Sequence, residues 1–408
     1  MIRRIASMVA FTGILAAPFT ADAVTMEEAI RIAVLSNLEI RTAESELAVA
    51  KARAQGASLW AQDNPALDVA AGPRDAPNDH FLDYSVALTQ PIDVAGQRGA
   101  RIAAASAAVL AAEARVGAQR AEVAAKTQEA FGRVLASEAA RLLADETRRL
   151  VDEALRAAEE RHRTGDASLI ELNTARIEAG RAAREHALAA QREQVARGEL
   201  KLLLNVAPRM ALDLEGDLAD FATRRTNPRA WESPRPDQPE RPEVVAARRE
   251  LEAARGAERV AARAALPRPR IGASYRREED VPIVQALLSL ELPLFNRNDA
   301  ARAEARARVV QAETALLAVE RRVAQEREQA LARYAAAELA LSGYHRAAVN
   351  AASDNVELAT EGYRDGKLDF LDLLLIRRAS IEVRHGYIEA LEALNAADAT
   401  LRRVSGPP

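Results

Sequence analysis

The chain has 408 residues, 56 Lys and Arg against 60 Asp and Glu, and a formal net charge of -4. That near-neutral balance offers no nucleic-acid partner a basic surface. The lack of any cysteine excludes disulfides, a thiolate nucleophile, a zinc-thiolate site and a lipid-anchored cysteine. Aromatic residues are 4% of the chain while Ala, Glu, Arg and Leu dominate, the composition of long helices and coiled coils.

In chain order, Arg3 and Arg4, the apolar stretch Ile5 to Phe19 and the small-x-small Ala21-Asp22-Ala23 predict a secretory signal peptide over residues 1–23. The apolar stretch is shorter than the roughly 20 residues a membrane-spanning helix needs. No later segment reaches 18 apolar residues, although a membrane β-strand needs only about ten alternating ones. A helix is expected over Leu38 to Gln62. Two alternating segments follow, Pro65 to Gly72 and Phe81 to Gln90, with Leu67, Val69, Leu82, Tyr84, Val86 and Leu88 on apolar faces and Pro73 to His80 as a polar loop.

Proline is then absent from Ile92 to Ala207, a run of 116 residues that permits very long helices. Ile102, Val109, Val116 and Val123 recur every seven residues, a coiled-coil seam. Gln97 to Arg161 as one helix would extend roughly 100 Å, a length suited to a filament, stalk or tunnel. A glycine-centred turn at 162–168 and a return helix complete the first unit. Asn205 to Arg241, with Pro208, Pro228, Pro234, Pro236 and Pro239, is expected to be an irregular connector.

The plan then recurs. A helix is expected over Glu243 to Leu266, alternating segments at Ile271 to Arg276 and Val284 to Leu292 joined by Arg277 to Pro282, and a second great helix in the proline-free run Leu294 to Gly406. A turn at 363–369 and a return helix follow. Pro65 and Pro269, Pro91 and Pro293, and Gly165 and Gly366 match at offsets of 204, 202 and 201 residues. The organisation is therefore a repeat at 24–204 with a hairpin at about 65–92, a connector at 205–241, and a repeat at 242–408 with a hairpin at about 269–293. The fold class is mainly α with a small β part: duplicated long coiled-coil helices and two β-hairpins.

Four strands cannot close a barrel, and open edges do not exist in lipid. The hairpins therefore pair with other copies or pack on something else. No enzyme is expected: nucleophile elbow, phosphate loop and dinucleotide fingerprint are missing. His80, His162, His186, His345 and His385 are scattered without ligand spacing, so no metal site or cofactor is legible.

Several local motifs occur in a telling order: Asn64-Pro65, Gln90-Pro91-Ile92 followed by Gly96-Gln97-Arg98-Gly99-Ala100-Arg101, Arg163-Thr164-Gly165-Asp166-Ala167-Ser168, Leu292-Pro293-Leu294-Phe295-Asn296-Arg297-Asn298, and Tyr363-Arg364-Asp365-Gly366. Across the mature chain this resembles the TolC family of outer-membrane efflux proteins. The Gly-Gln-Arg and Pro-Leu-Phe-Asn-Arg-Asn stretches are most similar to the CzcC-type heavy-metal subset.

The resemblance implies a homotrimer in outer-membrane lipid, with a twelve-stranded β-barrel and a periplasmic α-helical barrel. It would be fed by a periplasmic adaptor and an inner-membrane resistance-nodulation-division pump. It places Pro65, Pro91 and Pro293 at barrel junctions and Gly165, Asp166, Ser168, Tyr363, Gly366 and Asp369 at an adaptor-docking tip. It puts Asp372 at a periplasmic gate, with Leu375 where many relatives carry a second aspartate. Multidrug efflux, type I protein secretion and, in another class, a pore-less periplasmic coiled-coil protein stay open as alternatives.

Overall fold

A computed structural model describes residues 23–76, 79–220, 240–278, 281–344 and 346–405; the expected signal peptide, apart from Ala23, lies outside them. Thr25 starts the first helix, α1 (Met26–Ser36), by accepting a hydrogen bond from the Glu28 amide at 3.3 Å. Asn37 ends α1 and caps α2 (Leu38–Ser58) through its side chain and the Glu39 amide, 2.9 Å. The hairpin β1 (Ala66–Ala76) and β2 (Asp79–Pro91) leads to α3 (Gln97–Thr164), 68 residues in one helix, and α4 (Leu169–Leu203) returns. The second half repeats the order: α5 (Pro242–Ala264), β3 (Pro269–Glu278), β4 (Val281–Leu290), α6 (Asp299–Gly343), α7 (Arg346–Arg364) and α8 (Phe370–Ser405).

These helices form one layer of four columns. α3 is the continuous spine and packs on α2, α4, α5 and α8. α2 continues the column of α4, because Ser36 and Asn37 donate to the Leu204 and Leu203 carbonyls at 2.8 and 3.1 Å. Those bonds satisfy carbonyls that a helix end otherwise leaves orphaned. α5 and α8 both lie between α3 and α6, and their ends meet where Arg403 reaches Glu243 and Glu326 at 3.3 and 3.2 Å. The fourth column is α6 followed by α7, and α7 packs on α8.

The main core sits at this waist. Val123, Phe131 and Val134 of α3, Leu200 of α4, Tyr334 of α6 and Leu391 of α8 are fully buried together, under Ala29 and Ala33 of α1. Each large side chain there contributes about 1.5–3 kcal/mol. Val24 pins α1 by a strand-like pair with Leu214 in the connector, whose residues 221–239 lie outside the described residues.

The four strands make one antiparallel sheet in the order β1-β2-β3-β4. Two expectations need correction here. Pro73 to His80 and Arg277 to Pro282 are not polar loops. The ladders run on through Pro73↔Leu82 and Asp75↔His80, and through Arg277↔Pro282 and Glu278↔Val281. Pro73 and Pro282 are tolerated because each lies in an edge strand. β4 ends at Leu290 rather than Leu292.

The second proline-free run does not hold one helix to match α3. It breaks between Gly343 and Arg346, with Tyr344 at φ -105°, ψ 70°. Ser342 donates its hydroxyl to the Leu339 carbonyl and Gly343 is a weak helix former. Tyr344 instead lays its ring on Gly386 of α8, where any β-carbon would collide with its hydroxyl.

Candidate functional site

The sheet register gathers apolar residues onto one continuous face. Leu67↔Leu88↔Ala273↔Ala286 and Val69↔Val86↔Tyr275↔Val284 run straight across it, beside Ile271↔Leu288. Leu67, Val69, Leu82, Leu88, Val284 and Leu288 on this face are exposed. The opposite face carries Asp68, Arg74, Asp83, Ser85, Arg270 and Gln285. Among the described residues the outer edges of β1 and β4 have no partner strand. In water a sheet with so large an apolar face and open edges would aggregate.

At the end of the sheet away from the hairpin turns, three of the four strand–helix links expose Leu59, Trp60, Val94, Leu292, Leu294 and Phe295. Trp60 and Phe295 are 73% and 102% exposed, a disposition usual for membrane-interface aromatics.

The same junction is fixed by charge. The Asp93 side chain is 5% exposed and takes Arg101 of α3 at 2.6 Å and Arg268 at 2.9 Å, and Arg268 also reaches Asp63 at 2.8 Å. Gly96 begins α3 at φ +77°, a region that favours glycine, and the Gln97 side chain accepts from the Ala95 amide at 2.8 Å. Asn298, 202 residues later, begins α6 at φ +59°. Pro65 precedes β1, Pro91 ends β2 and Pro293 follows β4, all where no ladder donor is required.

Two flanks of the helical layer are open. On a wheel of about 3.6 residues per turn, exposed Ile170, Ile177, Val195 and Leu202 of α4 fall within about 40° of one another. They lie roughly 140° from the row that α4 buries, Ala175, Ala182, Ala189 and Ala196. On α6, exposed Val310, Leu317 and Leu339 lie roughly 150° from buried Ala305, Ala330, Tyr334 and Ala337.

At the far end of the layer the two helix–helix turns are copies in detail. Gly165 and Gly366 stand at φ +88° and +71°. The Asp166 and Lys367 amides donate to the Arg161 and Gly362 carbonyls at 2.7 and 2.8 Å, six-residue closures of a Schellman turn 201 residues apart. Ser168 caps α4 by accepting from the Glu171 amide at 3.1 Å, and Asp369 caps α8 by accepting from the Asp372 amide at 2.8 Å. Asp166, Ser168, Asp369 and Asp372 are exposed.

Tyr363 is different: at 6% exposure it is buried with Ala359 and Leu373, so its side chain offers no docking surface. It donates to Glu171 Oε1 at 2.8 Å, which Arg161 also reaches at 3.2 Å, and the Arg161 guanidinium lies 5.0 Å from the tyrosine ring centre. Burial, then the bond to Glu171, raises the phenol above its ordinary pKa. Arg161 and Glu171 escaped the sequence reading, although Glu171 matches Asp372 at the same 201-residue offset.

An exposed apolar sheet face with free edges, joined to a layer of long helices, fits the class of outer-membrane channel subunits with a large helical extension. The chain belongs to the outer membrane efflux protein family, whose model matches residues 29–206 and 238–407. Solved structures share the fold at low identity. A membrane protein from Pseudomonas aeruginosa is 20% identical over 93% of each chain, TM-score 0.72. The Campylobacter jejuni CmeC outer membrane channel is 16% identical over 97% of this chain and 90% of its own, TM-score 0.73. The Vibrio cholerae outer membrane protein VceC is 16% identical over 94% and 96%, TM-score 0.71. No curated protein matches the chain by sequence. Among the described residues no helix is long and apolar enough to cross a membrane.

Proposed function

We propose that three copies assemble into a passive exit duct: a twelve-stranded barrel in the outer membrane continued by a ring of twelve helix columns in the periplasm. The observation that carries this reading is the coincidence of two unpaired strand edges with two apolar helical flanks on one subunit. A ring of twelve columns requires each column to meet its neighbours roughly 150° apart, close to the angle between buried and exposed rows on both α4 and α6. The two halves, 24–204 and 242–408 around the connector 205–241, then act as structural repeats, each supplying two columns and one hairpin.

Trp60 and Phe295 mark the periplasmic boundary of the bilayer. With Trp231 replaced by Phe, brominated phospholipids are expected to quench Trp60 fluorescence; unquenched emission from the reconstituted protein would place the boundary elsewhere.

The turns at 162–168 and 363–369 form the tip that meets a periplasmic adaptor fed by a resistance-nodulation-division pump. Gly165, Asp166, Ser168 and Gly366 shape its surface, and Asp369 sets the start of α8. The Gly-Gln-Arg and Pro-Leu-Phe-Asn-Arg-Asn motifs favour heavy-metal cations as cargo. Deleting the gene should lower metal tolerance severalfold and leave detergent and antibiotic tolerance intact; the reverse pattern would assign the duct to drugs.

Asp372, exposed at the third position of α8, supplies the gate. Three copies in a narrow ring would concentrate negative charge and hold cations. In planar bilayers Asp372→Ala is expected to weaken block by periplasmic divalent cations at least tenfold, whereas Asp369→Ala chiefly loosens the helix start. Identical block in wild type and Asp372→Ala would leave Asp372 as a first-turn carboxylate favoured by the helix dipole. Tyr363→Phe removes the bond that joins the two turns. The expected result is a higher mean conductance with unchanged trimer yield, and unaltered conductance would show that packing alone holds the tip.

A further inference from the structure

The lower part of the helical layer contains a hollow that duct formation does not explain. It measures about 200 Å³ and opens between α3, α4 and α8. Val151 of α3, Ala182 of α4, and Phe370, Leu374 and Ile381 of α8 give it an apolar floor. An enclosed apolar cavity on the order of 150 Å³ accepts one benzene ring. The room here suits one aromatic ring or a short alkyl chain.

Charge defines what the rest of an occupant must carry. Arg181 and Arg378 line the same hollow with side chains 60% and 55% exposed, so their guanidinium groups stand on its solvent side. Both donate to a single oxygen, Glu178 Oε1, at 2.7 and 3.0 Å. Glu185, also in the lining, is engaged by Arg192 at 3.0 Å. Two cations thus share one carboxylate, and Arg377 adds a third guanidinium to the wall. Planar guanidinium groups favour carboxylates through paired hydrogen bonds.

We propose that this hollow is a binding site for small apolar carboxylates: the ring or chain lies against Val151, Leu374 and Ile381, and the carboxylate meets Arg181 and Arg378. Such a ligand bridges α4 and α8, which among the described residues are joined across the hollow by the Arg378–Glu178 pair. The site stands whatever the cargo and whether or not Asp372 forms the gate.

The probe is 3-phenylpropionate, followed by saturation-transfer NMR on the full-length trimer in amphipol, with 3-phenylpropanamide and 3-phenylpropylamine as neutral and cationic controls. Binding of the carboxylate is expected in the millimolar range or tighter, with both controls at least tenfold weaker. Ala182→Leu, which fills the hollow, should abolish binding. Arg378→Gln should weaken the carboxylate at least fivefold and leave the amide unchanged. Circular dichroism and native electrophoresis establish that each variant remains a folded trimer. If Ala182→Leu misassembles, Ile381→Phe fills the hollow from α8 and carries the same expectation. No binding by wild type, equal binding of all three probes, or full binding by a folded hollow-filling variant overturns the proposal.

Discussion

Replacing Ile177 and Val195 together by aspartate is expected to convert the proposed trimer into a folded monomer. Both side chains are exposed on the single chain, on the flank of α4 away from α3. In the proposed ring they meet the flank of a neighbour's α6 and α7 column. Carboxylates there would have to be buried without partners, at several kcal/mol each. Six such groups would enter each assembled ring, far beyond what the waist core could offset. Within the subunit the cost is small, because α4 contacts α3 through Ala175, Ala182, Ala189 and Ala196 instead. Helical circular dichroism should therefore stay near wild type while native mass spectrometry in detergent shows monomers. Intact trimers in the double variant would mean that these flanks face water and would remove the helical half of the duct argument. Ala183→Asp is the control: Ala183 is exposed on α4 but lies roughly 120° around the helix from the Ile177 and Val195 flank, so this variant should assemble normally.

The long helices were legible because their signals are dense. Missing proline, a seven-residue apolar repeat and matched glycines each constrain many residues at once, and the expected end of α3 at Arg161 lies within three residues of the observed Thr164. The alternation of the strands was legible for the same reason. Their ends were not, because Pro73 and Pro282 look like loop residues until the strand order shows that both stand on edge strands. The break after Gly343 was hidden as well. It depends on Tyr344 finding Gly386, a contact between residues 42 apart that no local pattern announces. At the turns, sequence located Gly165, Gly366 and the acidic residues of α8. It could not distinguish exposed Asp372 from buried Tyr363, because burial there is decided by how the two turns meet. Arg161 and Glu171 look like ordinary charges on a solvated helix until that meeting is seen.

At the junction between strands and helices, Asp93→Ala should destabilise the protein by about 3–5 kcal/mol, the usual cost of removing one partner from a buried ion pair. The Asp93 side chain is nearly inaccessible, and its loss strands Arg101 on α3 and leaves Arg268, before β3, with Asp63 alone. Those two arginines tie the spine helix to the strand entry of the second half, where the Ile92 amide also donates to the Pro269 carbonyl at 2.9 Å. The variant therefore weakens the connection between the sheet and the helical layer rather than either part alone. Asp93→Asn keeps the shape and one acceptor but not the charge, and should fall between Ala and wild type. Arg98→Ala is the contrast: Arg98 donates to the Ser58 carbonyl at 3.0 Å in an exposed setting, and its loss should cost less than about 1 kcal/mol. Urea midpoints of lipid-reconstituted protein measure all three. An Asp93→Ala midpoint no lower than that of Arg98→Ala would show that backbone pairing, not the buried charges, joins the sheet to the helices.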